Sequence, residues 1–193
     1  MKTLPKILLA LTAVAALSFA HPAKANLITN PGFETGNFTG WTQSGDTSFT
    51  GVTGTFVGIA PHSGSFQAVM GNVSTGFLSQ MLALAVGTTY TVDFWLANNT
   101  PGTNSFAASL GGVTGFSVTN AGASGYTEHT FNFTYNGGST QLLFTFLNVP
   151  GSWFLDDISV EPAGVGVPDG GSTVSLLGCA LLGLAALRRK LGC

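Results

Sequence analysis

The sequence predicts an all-β fold, an antiparallel two-sheet jelly-roll sandwich, set between an N-terminal signal peptide and a C-terminal single transmembrane helix. Three observations predict it. Short runs rich in Val, Thr, Tyr, Phe and Trp alternate apolar and polar residues through the interior. Gly- and Pro-containing turns cut those runs at short spacing, and no stretch holds a helical period. All six Lys and Arg residues sit at the ends, Lys2, Lys6 and Lys24 at one and Arg188, Arg189 and Lys190 at the other, each cluster bordering an apolar run.

Residues 1–25 read as a Sec signal peptide. Lys2 and Lys6 form its positive region, Ile7 to Phe19 its apolar stretch, and Ala23-Lys24-Ala25 the small-x-small pattern that signal peptidase cuts. About 13 apolar residues at 1.5 Å each fall short of a hydrocarbon core roughly 30 Å thick, so cleavage after Ala25 is expected rather than retention as an anchor. Residues 26–161 follow as one domain, long enough for a sizeable core.

The clearest strand of that domain is Thr88 to Ala97, where Tyr90, Val92, Phe94 and Leu96 share one face and Thr89, Thr91, Asp93 and Trp95 the other. Thr127 to Tyr135 alternates in the same way. Further strands are expected at Thr55–Ile59, Phe66–Met70, Gly76–Leu84, Asn104–Leu110, Thr114–Val118, Thr140–Leu147 and Trp153–Val160. Many short strands at this spacing make a sandwich or jelly roll.

Residues 162–172 form a linker containing Val167-Pro168-Asp169-Gly170-Gly171, and 173–193 hold an apolar run closed by the basic stop Arg188, Arg189 and Lys190. Thr173 to Leu187 is apolar on every helical face, which suits lipid better than a small β-domain. Only Cys179 and Cys193 exist, so the folded body has no disulfide framework. Its acids are Glu34, Asp46, Asp93, Glu128, Asp156, Asp157 and Glu161, seven against no Lys or Arg, a formal charge of −7. A surface of that sign repels phosphate backbones and excludes nucleic acid as a partner.

The ordered tail of motif, apolar run and basic end resembles the C-terminal sorting signals of the PEP-CTERM class, most closely the VPDSG-CTERM variant, with Gly170 where the variant usually has serine. That resemblance implies an exported protein held in the membrane by its C-terminal helix, recognised by an exosortase-type transpeptidase, and then placed on the cell surface or in the extracellular matrix. The opening Asn26 to Gly36 with Gly40-Trp41, and the closing Trp153 to Val160, resemble the first and last segments of jelly-roll carbohydrate-binding modules and of the galactose-binding-like fold. By that resemblance Glu34 and Asp157, with the Asn30 carbonyl, share one structural calcium, and the domain binds a glycan, here an extracellular polysaccharide.

Sugar binding needs an aromatic face for the C–H side of a pyranose and polar groups for its hydroxyls. Trp95 beside Asp93 is the first candidate, followed by Tyr126 and Gln80; the competing reading makes Trp95 core. Trp41 and Trp153 read as packing residues, and adjacent Asp156 and Asp157 should point to opposite faces of their strand. No catalytic residue is assigned. His62 near Ser63 has no nucleophile elbow or other local triad signature around it, and no zinc spacing or phosphate loop occurs. The chain is therefore expected not to be an enzyme, with a purely structural surface component as the alternative and a small polysaccharide hydrolase as the least favoured reading.

Overall fold

The computed structural model describes residues 25–164, and the expected signal peptide, sorting motif and C-terminal helix lie outside them. Ten strands form: β1 (Thr42–Gly45), β2 (Thr50–Thr53), β3 (Gln67–Met70), β4 (Gly76–Met81), β5 (Thr89–Asn98), β6 (Thr103–Leu110), β7 (Val113–Thr119), β8 (Ser124–Thr134), β9 (Gln141–Val149) and β10 (Trp153–Pro162). They make two five-stranded sheets, ordered β1-β4-β9-β6-β7 and β2-β3-β10-β5-β8, with neighbouring strands antiparallel throughout. Chain neighbours repeatedly fall in different sheets, so the sandwich closes through long-range pairs.

Alternation explains the layers. On β5, Tyr90, Val92, Phe94 and Leu96 are buried between the sheets, and on β9 Leu142, Phe144 and Phe146 meet them from the other side. Phe94, Phe106 and Phe144 lie 5.5 to 5.9 Å apart, centroid to centroid, in edge and tilted contacts. Trp41 and Trp153 are buried in this core, as expected of packing residues. Leu27 joins the sandwich by donating its N–H to the Val160 carbonyl (2.9 Å). Among the described residues, those from Ala25 to Pro162 form a compact unit whose core closes within Ile28–Val160.

Two expectations fail locally. The stretch Thr55–Ile59 is not a strand but a tight reversal closed by a Phe56–Ile59 bridge, because Val57 and Gly58 take φ of 44° and 84°. The edge strands β1 and β2 were not expected; each has only four residues, and neither alternates buried with exposed positions.

Candidate functional site

Trp95, Asp93 and Tyr126 are brought together on the outer face of the second sheet, on adjacent strands β5 and β8. Segment 54–66, between β2 and β3, folds across that face. The His62 ring stacks on Trp95 at 3.8 Å with 14° between planes and meets Tyr126 edge-on at 5.5 Å. Ile59 packs on a small second cluster of Val69, Ala97 and Phe154. Trp95 is thus half-buried, with one ring face occupied by His62.

Four side chains hold the segment in place. Buried Gln67 donates from Nε2 to the carbonyls of Gly54 (2.7 Å) and Ile59 (2.8 Å), and its Oε1 accepts the Tyr126 hydroxyl (2.5 Å). Asp156 Oδ2 accepts the backbone N–H groups of His62 (2.9 Å) and Ser63 (3.3 Å). His62 Nδ1 lies 2.6 Å from Asp157 Oδ2, and Ser63 Oγ donates to Asp157 Oδ1 (2.7 Å). Glu34 accepts the amides of Ser65 and Phe66 at 3.0 Å. Gly64 permits this approach: at φ 60°, any Cβ on it would lie 2.3 Å from the Glu34 carboxylate.

Asp156 and Asp157 do not point to opposite faces. The β10–β5 register slips between Asp156 and Ser159, and Asp157 adopts φ 46°, a bulge that turns both carboxylates toward segment 54–66. Burial, reinforced by the neighbouring Asp157 charge, pushes the Asp156 carboxyl up to about 6. Burial with the same two carboxylates also pushes the Tyr126 phenol well above its ordinary value.

Gln80 is separated from this cluster. It lies on β4 of the first sheet, buried, where Oε1 accepts the Thr29 N–H (2.8 Å) and Nε2 donates to the Thr29 carbonyl (3.0 Å). It pins the opening segment to the sandwich and is not a ligand group beside Trp95. Asn30 is likewise spent on structure: its carbonyl takes the Trp41 indole N–H (3.2 Å), and its side chain donates to the carbonyls of Asn37 (2.9 Å) and Thr39 (3.3 Å).

A calcium ion fits these residues only in part. Asp157 Oδ1 and Asp156 Oδ1 converge within 3.4 Å of the point where a Cβ on Gly32 would stand, with Glu34 Cγ 3.7 Å from it. Two carboxylate oxygens fall short of the roughly six to eight that calcium takes, and Asn30 adds none. Among the described residues no group of three or more His, Cys, Asp or Glu side chains is placed to hold an ion.

The trio Ser63, His62 and Asp157 has the composition of a hydrolytic triad but not its wiring. Ser63 donates to the carboxylate, not to the imidazole, so His62 is not its base. Sequence reasoning set His62 aside and missed Gln67; their pairing with β5 and β8 spans the fold and left no local signal.

A family model described as a carbohydrate binding domain matches residues 25–150. The chain belongs to this carbohydrate-binding family. A second model, the VPDSG-CTERM motif, matches residues 166–191. Among solved structures, the chain is similar to TmCBM61 in complex with beta-1,4-galactotriose, at 25% identity and TM-score 0.55 over 72% of this chain and 99% of that one. It is also similar to the CBM22-1 xylan-binding domain from Paenibacillus barcinonensis, at 17% identity and TM-score 0.52 over 76% of this chain and 100% of the other. A family 16 carbohydrate-binding module aligns at 19% identity and TM-score 0.52, covering 70% and 99% of the two chains. A comparison with curated proteins finds no match. The last two likenesses concern the fold alone, the jelly roll of this carbohydrate-binding domain.

Proposed function

We propose that the chain is an exported surface or matrix protein whose carbohydrate-binding domain holds an extracellular polysaccharide without cleaving it, and whose tail is handled by an exosortase-type enzyme. The observation that carries this reading is the family match over residues 25–150, joined in one chain to the sorting motif at 166–191. Nothing in the wiring of Ser63, His62 and Asp157 supplies a nucleophile, which supports binding over hydrolysis. Calcium belongs to this proposal at the Gly32 seam, held by Asp156 and Asp157 with Glu34 beside them and water completing its shell.

A purely structural surface component is the second reading, and the stacking of His62 on Trp95 favours it, because that ring face is already occupied. Co-sedimentation of residues 25–164 with the producing organism's exopolysaccharide, with calcium and with EDTA, separates the two. Retention in the pellet is expected; a domain that stays in the supernatant under every condition is structural only. The same samples melted with and without EDTA test the ion: a fall in Tm supports calcium at the seam, and an unchanged Tm removes it.

A further inference from the structure

The two sheets end in the edge strands β1, β7, β2 and β8, and three of these edges are blunted. β1 and β2 have four residues each, and the pairing of β7 with β6 slips between Ala108 and Ser109, leaving Gly115 as an unpaired extra residue. β8 is different. It keeps one regular register on β5 from Thr127 to Thr134, contains no Lys or Pro, and among the described residues has no strand on its other side.

The ladder decides which of its backbone groups are free. Just past β8, Tyr135 donates its N–H to the Thr88 carbonyl (3.0 Å), and its own carbonyl accepts the Gly87 N–H (2.7 Å), so both groups are spent on the β5 side. Antiparallel alternation then turns the backbone groups of Thr127, His129, Phe131 and Phe133 toward β5 and leaves those of Glu128, Thr130, Asn132 and Thr134 facing outward. The edge is also nearly uncharged. The body carries seven acids without a Lys or Arg, yet Glu128 is the one carboxylate on β7 and β8 together. Between the sheets at this edge, Phe116, Phe131 and Phe133 are only partly buried.

We propose that β8 is a dimer interface, on which a second copy of this chain pairs antiparallel through its own β8 and makes one continuous sheet of the two. Self-pairing must match free residues with free residues, and a two-fold axis through Phe131 is the one that matches all four. Glu128 then faces Thr134 of the second copy and Thr130 faces Asn132, so no carboxylate meets another; an axis through Glu128 would set the two acids against each other. On the inner side Phe131 meets its own copy and His129 meets Phe133, which covers rings that a single domain leaves partly in water. With the other edges blunted, association stops at two copies.

Sedimentation velocity of residues 25–164, whose core closes within the fragment, tests this from micromolar to about 0.5 mM protein. A monomer–dimer equilibrium is expected. Thr134→Glu and Thr134→Lys both lose the exposed hydroxyl contact to Thr89 (2.8 Å), so their difference reads the interface and not the fold. Thr134→Glu sets a second carboxylate against Glu128 in both symmetric pairs and should weaken the dimer about tenfold, whereas Thr134→Lys should bind at least as tightly as wild type. The fragment has no cysteine of its own. Thr130→Cys mixed with Asn132→Cys should therefore form a disulfide-linked dimer on oxidation, because a directly opposed pair lies about 5.5 Å apart at Cα, while either variant alone holds its cysteines at the longer diagonal. A protein monomeric at every concentration, a ladder of higher oligomers, a dimer that both Thr134 variants shift alike, or disulfides formed as readily in the single-variant samples as in the mixture would overturn the pairing.

Discussion

His129 projects among rings, 4.2 Å from Phe116 and 5.5 Å from Phe94, and burial lowers its affinity for a proton. A depressed folded value makes the neutral ring the stabilising form, so its contribution is present above the ordinary value near 6.5 and lost as pH falls below it. Because the ring is only half-buried, solvent screening keeps the effect small. Asp156 works in the opposite sense: its raised value means stability present below the ordinary 3.8 and lost as pH rises through about 6. The raw pH profile therefore mixes two slopes, and the difference between wild type and His129→Phe isolates one. The urea midpoint at pH 5, taken relative to that at pH 7.5, should be higher in His129→Phe than in wild type, because a loss toward low pH has been removed; an identical pH dependence in the two proteins would mean the imidazole is not the titrating group. Single residues such as this one were legible in the sequence as to face, since His129 pairs with Phe94 across β5 and β8, but not as to neighbour, because Phe116 comes from the other sheet.

At the scale of elements, the β10 bulge sets two effects against each other. Asp157 at φ 46° bears a left-handed conformation costing about 1 kcal/mol, yet its carboxylate holds His62 and Ser63, two part-exposed bonds of roughly 0.5 to 1.5 kcal/mol each. The bonds outweigh the strain. Asp157→Ala should lose roughly 1 to 3 kcal/mol and Asp157→Gly about 1 kcal/mol less, read from urea denaturation; equal losses would show that the bulge stores no strain. Such a bulge was invisible in advance, and the simple period of two wrongly parted Asp156 from Asp157. The same period succeeded where strands are long: β5, β8 and β9 carry five or more alternating positions, and it placed Trp95 and Asp93 together. It failed for β1 and β2, whose Thr, Gln, Ser, Gly and Val residues bury nothing completely, and for Thr55–Ile59, where Gly58 reverses the chain. Gln80 was misassigned because alternation reports a face and says nothing of which sheet a strand joins.

For the whole molecule, charge and order along the chain matter more than any one contact. The folded body carries acids only, and all positive charge is confined to the terminal segments, so the polymer it accompanies should be neutral or bridged by divalent cations rather than polyanionic. The VPDSG-CTERM motif follows the last strand in the chain, and β10 pairs with both β3 and β5, so the second sheet closes on residues that precede the motif. This order predicts separable functions. A chain lacking Val167–Cys193 should keep the melting temperature and glycan affinity of the intact protein but leave the cells for the medium, measured by fractionating cultures into membrane, surface and supernatant. Replacing Arg188, Arg189 and Lys190 together with Ser should give the same loss of retention if positive charge is what stops the apolar run at the membrane. A truncated chain that still stays with the cells would transfer retention from the tail to the carbohydrate-binding domain, and adding free neutral polysaccharide would then release it.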